Sequence, residues 1–592
     1  MKQKSNISAV MMNRFYGLVL AIVYVALPLC LFSQTDGEES SISEEIPVVS
    51  DWIPPLNDAF KIDENPRIVD TIMPAPDYDY PMIPKVLTFD FEPDLIKPAK
   101  MRILEPLDKL YKGYVRGGIG TQTMPLGELY LTNLRSRDKA MGVHIRHFSS
   151  QGDGRAPAFN GFSQNSAKLW YKHFMRYHTA ETTVNYRRDG IHHFGFAQED
   201  VDVERAAIRK IYHNADFSAR VKSHFKDSAA VNHDLNLSYY YFGDESGPEF
   251  TFGRDHFNVE EHGVKVDGSF SKFYNSELYL LDAGVDFLSN TTGPNDLPSE
   301  FAGAEFFDTH TINNAIVHIN PKISTHGDFY KIKAGLAIYS QIEDVAEFTF
   351  YPDVEAQFSL FNDIFMPYAG LTGGIRRNSV RGFFRENPFI SANPGMLQNT
   401  NEKLNIYGGI RGTLSSRMSF NAKAAISTLE QAPLFKNRVL FGTSNNFEVV
   451  YDDMEVFHLS GEINFQQNEH LMIHLRGEFN NYSTTNEREA WHLPELRGTL
   501  SAKYNIADKF ILTGEVYAMG TRFAEIFVPE QQTDLVEEIP AFADINFGFE
   551  YRYTKRISAF VNANNILNNR YQRWYNFQNF GFNILGGFTY SF

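Results

Sequence analysis

The chain has 592 residues, 43% of them hydrophobic, 21% charged and 14% aromatic, with a formal net charge of −17. A composition this apolar and this rich in rings (51 Phe, 30 Tyr, 4 Trp) excludes a disordered polymer. The acidic balance, without Lys/Arg-rich runs, excludes nucleic acid as a partner, because neutralising phosphates takes clustered bases.

Residues 1–34 carry Lys2, Lys4 and Arg14 and no acid; without them 52 basic residues face 72 acidic ones. An apolar run from Tyr16 to Phe32 ends in Ser33, Gln34 and Thr35. A basic flank, an apolar stretch and a small-residue boundary predict a secretory signal peptide, removed near Ser33–Gln34. A signal anchor is the alternative, since the run approaches spanning length. Cys30, the single cysteine, is preceded by Leu27, Pro28 and Leu29 rather than by the small residues a lipoprotein site requires. The mature chain is therefore expected to hold no disulfide, thiolate metal site or thiol nucleophile.

Residues 35–110 read as a Pro-rich periplasmic or lumenal arm. Acid-rich Asp36–Glu45 leads into eleven prolines between Pro47 and Pro106, and proline removes a backbone donor and fixes φ, which disfavours helix and central strand alike. Trp52, Phe60, Tyr78, Tyr80, Phe89 and Phe91 are anchors by which an extended arm can dock.

From Tyr111 to Phe592 the pattern alternates with period two. Met141, Val143 and Ile145 alternate with Gly142, His144 and Arg146. Leu235, Leu237, Tyr239 and Tyr241 share one parity; Asp234, Asn236 and Ser238 share the other. Leu471, Ile473, Leu475 and Phe479 alternate with His474, Arg476, Glu478 and Asn480. Ile545, Phe547, Phe549 and Tyr551 alternate with Asp544, Asn546, Glu550 and Arg552. Successive side chains on a strand point to opposite faces, so each segment has an apolar and a polar face.

About 22 such segments start near residues 111, 125, 139, 163, 177, 206, 229, 258, 274, 308, 326, 346, 362, 403, 417, 450, 468, 489, 508, 540, 556 and 580. Connections after even-numbered segments are tight, as at Ser136–Asp138, Ser415–Arg417 and Thr554–Arg556; those after odd-numbered ones are mostly long, as at 150–162, 379–402, 521–539 and 566–579. Short turns at one end and long loops at the other are the rhythm of an outer-membrane barrel; a soluble propeller would show a recurrent blade motif, and none occurs. The fold class predicted is all-β, a transmembrane antiparallel outer-membrane β-barrel of about 22 strands (range 16–22) over 111–592, in a Gram-negative-type envelope. Its polar lumen is expected to be lined by His144, Arg146, Asp234, Arg476, Glu478, Glu550 and Arg552. Outer-membrane lipids, and the barrel-assembly machinery during biogenesis, are the partners such a fold requires.

The last segment ends in Phe588, Tyr590 and Phe592 on one face, and this aromatic terminus resembles the assembly signal of outer-membrane barrels. The stretch Ile557–Ser558–Ala559–Phe560–Val561–Asn562–Ala563–Asn564–Asn565–Ile566–Leu567–Asn568–Asn569–Arg570–Tyr571 resembles the penultimate strand and loop of TonB-dependent receptors. Asn393–Pro394–Gly395–Met396–Leu397, followed by Tyr407 and Gly409, is similar to their mid-barrel loop. The resemblance is clearest over 390–592. It implies a transport or receptor role for a ligand the sequence does not name. The family also carries an N-terminal plug, whereas residues 35–110 show no glycine-rich plug pattern, so a plugless barrel is expected. Glu45–Ile46–Pro47–Val48–Val49 faintly resembles the box by which receptors engage TonB, but reads more readily as a plain acidic–aliphatic linker, so energised uptake does not follow from the resemblance. The occupant of so wide a lumen is expected among the arm, inward-folded loops or a partner protein. The missing plug also leaves open a structural or accessory role in an outer-membrane assembly or secretion complex, with a surface lipoprotein or another barrel as partner.

No Gly-x-Ser-x-Gly, His-Glu-x-x-His or phosphate loop occurs in a supporting context. No catalytic residue, metal ligand or cofactor is assigned, and the protein is read as a non-enzyme. Adjacent His192 and His193, beside Arg187, Arg188 and Asp189, point apart on an extended chain. Glu260–Glu261–His262 and the acid pairs Asp452–Asp453 and Glu537–Glu538 read as solvated.

Overall fold

The computed structural model describes residues 110–592 except 197–201, 228–229, 246–256, 295–308, 343–345, 392–396, 441–442 and 529–532. The signal peptide, nearly all of the arm, the Glu45–Val49 segment and Asn393–Met396 lie outside the described residues.

Twenty-two strands form one antiparallel sheet in which each pairs with its neighbours in the ring. The first strand, Gly113–Gly120, closes on the last, Asn583–Ser591, in the register Tyr114↔Ser591 to Gly120↔Leu585. Gly113 and Phe592 complete the seam with reciprocal backbone bonds of 3.0 and 2.9 Å. Closure leaves no unpaired edge, which a sheet in hydrocarbon requires because each unsatisfied backbone group there costs several kcal/mol, roughly. Glycine lets the seam close tightly: a Cβ on Gly587 would stand 2.1 Å from the Gly117 carbonyl oxygen.

The exterior carries an apolar band of exposed residues, among them Leu169, Val184, Phe217, Leu235, Val285, Ile426, Leu475 and Val561. At the short-turn end stand exposed rings in or beside the turns, including Tyr177, Tyr274, Phe329, Phe361 and Tyr553, the girdle expected where hydrocarbon meets water. Tight turns use left-handed residues where the hairpin twist demands them, as at Gln122 and Thr123 (φ 59° and 49°). That explains the short first connection within an otherwise long-loop end.

Two strand starts differ most from the sequence pattern. One begins at Thr443 rather than 450, because Met418–Leu440 and Thr443–Gln467 run to 23 and 25 residues, well beyond the 9–11 needed to span a bilayer. Another begins at Leu496 rather than 489. The apolar alternation of Trp491 and Leu493 serves a loop there, with Trp491 packed in a local core beside Leu434 and Met454. Extra pairs of strands lie in two long connections: Arg522–Val528 with Thr533–Ile539, and Gln572–Trp574 with Phe577–Gln578.

Candidate functional site

The connection between strands Met366–Arg376 and Thr400–Ser415 contains the one helix among the described residues, Val380–Glu386. Ser379 starts it, its hydroxyl accepting from Gly382 N at 3.0 Å, and Pro388 forbids its continuation. Val380, Phe383 and Phe384 are buried.

This strap folds inward against the barrel wall. Glu261, 0% exposed, accepts from Val380 N at 2.8 Å, Asn290 Nδ2 at 3.0 Å and the Tyr240 hydroxyl at 2.9 Å. The solvated reading of Glu261 is therefore corrected: its neighbours Glu260 and His262 remain exposed while its own carboxylate anchors the strap. Arg377 pairs with Asp286 at 3.3 Å and donates to Asn314. Arg381 pairs with Asp216 and lies 4.1 Å over the Tyr240 ring.

Beyond the anchors, loops meet in an aromatic core that includes Phe194, Phe383, Phe384, Phe435, Phe447, Trp574 and Phe577, with Phe389 against it. Phe389 stacks on Phe577 at 3.8 Å, and Phe447 meets Trp574 at 5.7 Å. Ile390 bridges to Phe447 in parallel. These residues belong to connections or strand ends rooted after the fifth, thirteenth, fifteenth and twenty-first strands of the ring. Segments rooted so far apart on a closed ring can touch one another only across its mouth, so the core is a roof over the long-loop end.

Arg522, wholly buried, ties the roof by donating to the carbonyls of Gln572 at 2.8 Å and Arg573 at 2.9 Å; burial lowers its pKa to about 10. His492, from the connection after the seventeenth strand, shares a hydrogen bond with the Phe435 carbonyl through Nδ1 at 2.9 Å, while Nε2 receives Tyr575 N at 3.4 Å. That pattern fits the neutral ring with its proton on Nδ1, and burial pushes the pKa down to about 3. Asp452, also read as solvated, is 2% exposed. It accepts the backbone N–H groups of Thr485, Asn486 and Glu487 at 2.8–3.1 Å, because the long hairpin carries it up to that loop.

Between strap, wall and the 571–580 segment lies a cavity of about 770 Å³, within the range of small-molecule sites. Arg187, Arg381, Arg385 and Arg573 line it together with the carboxylates of Asp189 and Glu386. Arg187 pairs with Asp189 at 2.6 Å. His192 and His193 do diverge, one to the Gly161 carbonyl at 2.6 Å, the other edge-on to Phe389.

The sequence-predicted lumen residues occupy the strand faces opposite the exposed apolar ones. His144 bonds Glu128 at 2.9 Å and stacks on Tyr130. Asp234 takes Arg220 Nε at 2.6 Å. Arg476 pairs with Glu478, and Arg552 with Glu550 at 3.4 Å, each along one strand; Arg146 lies 5.5 Å from the Phe148 ring. None of these seven lines the 770 Å³ cavity. Phe588, Tyr590 and Phe592 face outward at the seam, Tyr590 stacked on Phe592 at 5.8 Å. Of the cavity arginines only Arg187 was noticed, beside His192 and His193; for the strap the available signal was Ser379 followed by Arg381 and Arg385, four residues apart, in one of the longest connections.

No family profile matches the sequence, and no curated protein does. Solved structures do match. The pyoverdine outer membrane receptor FpvA from Pseudomonas aeruginosa PAO1 is 12% identical over 82% of this chain and 79% of its own, with a TM-score of 0.60. The copper transporter OprC is 9% identical over 82% and 81%, with a TM-score of 0.61. The siderophore receptor PirA from Acinetobacter baumannii is 10% identical over 82% and 81%, also at 0.61. At such identity the likeness is one of fold: the chain has the 22-stranded outer-membrane barrel of TonB-dependent receptors.

Proposed function

We propose that this protein is an outer-membrane receptor that admits a solute through the roofed, long-loop end of its barrel, with the cavity beside the strap as the solute's site. The observation that carries this reading is the roof: segments rooted after the fifth, thirteenth, fifteenth, seventeenth and twenty-first strands converge across the mouth, with a pocket of ligand size beside them. A passive porin needs an open channel at that level, whereas a receptor needs a barrier that binding can shift. The solved neighbours, whose titles name receptors and a transporter, support the same reading. The long loops face outside and the short turns the periplasm.

The test is conductance of the reconstituted full-length protein beside a variant in which residues 379–391 are replaced by a short Gly/Ser linker. The intact protein is expected to conduct little and the variant to open a stable pore. Equal conductance would remove the strap from the transport path. A role as an accessory subunit of an envelope complex would gain the ground if the protein co-purified stoichiometrically with another barrel while the strap variant left conductance unchanged.

A further inference from the structure

Four guanidinium groups line the cavity, those of Arg187, Arg381, Arg385 and Arg573, against the two carboxylates of Asp189 and Glu386. Two of the four are internally matched: Arg187 by Asp189 and Arg381 by Asp216. Arg385 and Arg573 have no carboxylate within 4 Å among the described residues and stand exposed to the cavity. Burial disfavours the charged form of Arg385, which feels the like charge of Arg381, the opposite charge of Asp216 and the like charge of Arg187. A recess walled by protein focuses such a field and concentrates anions within it.

A second observation is independent of charge. Asp189 and Asn214, 5% and 7% exposed, both line the cavity, and one oxygen of each, Oδ1, has no hydrogen-bond partner. A buried acceptor left unpaired is costly, so these two oxygens call for donors from whatever occupies the space. A third observation is the wall they share with Phe384, Phe389, Phe577 and Phe580, apolar side chains that suit an apolar ligand surface.

Resting on the receptor reading above, we propose that the cavity binds a hydroxyl-bearing organic anion with a flat apolar face. Arg385 and Arg573 take the acid group, Asp189 and Asn214 accept from its hydroxyls, and the phenylalanine rings cover the flat face. An acidic sugar and a phenolic acid share this chemistry.

The experiment is calorimetric titration of the full-length protein in detergent with glucuronate and with 4-hydroxybenzoate, each beside a neutral counterpart, glucose and methyl 4-hydroxybenzoate. At least one acid is expected to bind about tenfold or more tightly than its neutral counterpart, the weight of a charged hydrogen bond. Arg385→Gln combined with Arg573→Gln should abolish that preference, and Arg385→Lys with Arg573→Lys should restore part of it. These side chains are exposed, so the variants keep the barrel, and unchanged heat-modifiable mobility on gels checks this. Which acid binds assigns the source. Equal binding of acid and neutral form, or a preference that survives the Gln pair, overturns the anion site. No binding of either acid at millimolar concentration overturns the ligand class. The receptor reading is judged separately, by the conductance of the strap variant, which involves no ligand.

Discussion

Glu261 is the point at which the strap can be released without touching the ring. Its carboxylate serves Val380 N, Asn290 and Tyr240 at 2.8–3.0 Å, and it is 0% exposed. Glu261→Leu removes the acceptor, fills the same space with apolar atoms and strands four donors, the fourth being Arg381 N at 3.4 Å. Each buried group left unpaired costs about 1–3 kcal/mol. Tyr240 and Asn290 belong to the wall rather than the strap, so counting only the penalty at the helix start gives on the order of 2–3 kcal/mol. At about 1.4 kcal/mol per factor of ten, the detached strap gains about thirtyfold to a hundredfold in population. Arg377 and Arg381 still hold it, so release is intermittent. In planar bilayers the variant should flicker between a low and a high conductance state, and proteolysis within 377–391 should accelerate, while the barrel band on unheated gels stays intact. A variant with wild-type conductance and wild-type protease resistance would refute the idea that this carboxylate holds the strap.

Three further outcomes are expected. His492 is held neutral with its pKa near 3 against about 6.5 in an opened loop, so protons favour opening. The roof's full stability is present above pH 6.5 and is lost as the pH falls toward 3, by at most about 1.4 kcal/mol per unit; Trp fluorescence unchanged from pH 7 to pH 4 would contradict this. Gly587→Leu drives a Cβ to 2.1 Å from the Gly117 oxygen and 2.6 Å from Gly118 Cα, while Gly117→Ala meets nothing within 4 Å. The first should abolish the heat-modifiable folded form and the second should preserve it, and equal folding of both would discredit the tight seam. Hydrogen exchange should be fastest between Ala346–Phe358 and Met366–Arg376, where only four residue pairs are in register; protection there equal to that between Met418–Leu440 and Thr443–Gln467 would be the opposing result.

The wall was legible in the sequence because most of its strands carry an exposed apolar face and a polar one. Exposed apolar residues such as Val184 and Leu235 alternate with polar ones such as Asn185 and Asp234, and the period of two is broken only locally, at register shifts such as those between Glu402 and Leu404 and between Leu429 and Ala432. Register follows from tight turns, which set Lys222 opposite Asp234 and leave Arg220 one diagonal step away, within hydrogen-bond reach of the same carboxylate. The roof obeys no period. Glu261 finds Val380 across 119 residues of sequence, and nothing near either one announces the other; Glu261 therefore reads as one more surface acid. Trp491 misleads in the opposite sense, since its alternation with Leu493 imitates a strand while its indole N–H reaches Glu487 at 2.7 Å inside a loop.

This difference in legibility has a functional consequence. A strand residue is constrained by lipid or lumen and by two neighbouring strands, so the wall tolerates little. The roof is held by a few anchors, Glu261, Arg377, Arg381 and Arg522, and by rings that need only fill a shared volume. The side chains of Arg385 and Arg573 are exposed and unpaired by carboxylates; what Arg573 gives the roof is its backbone, whose carbonyl accepts from Arg522. Side chains free of any role in folding are those whose identity a ligand can set. Changing the charge at these two positions should alter what the cavity binds while leaving the barrel's stability where it was, a separation that stability and titration measured on one set of variants can establish or refuse.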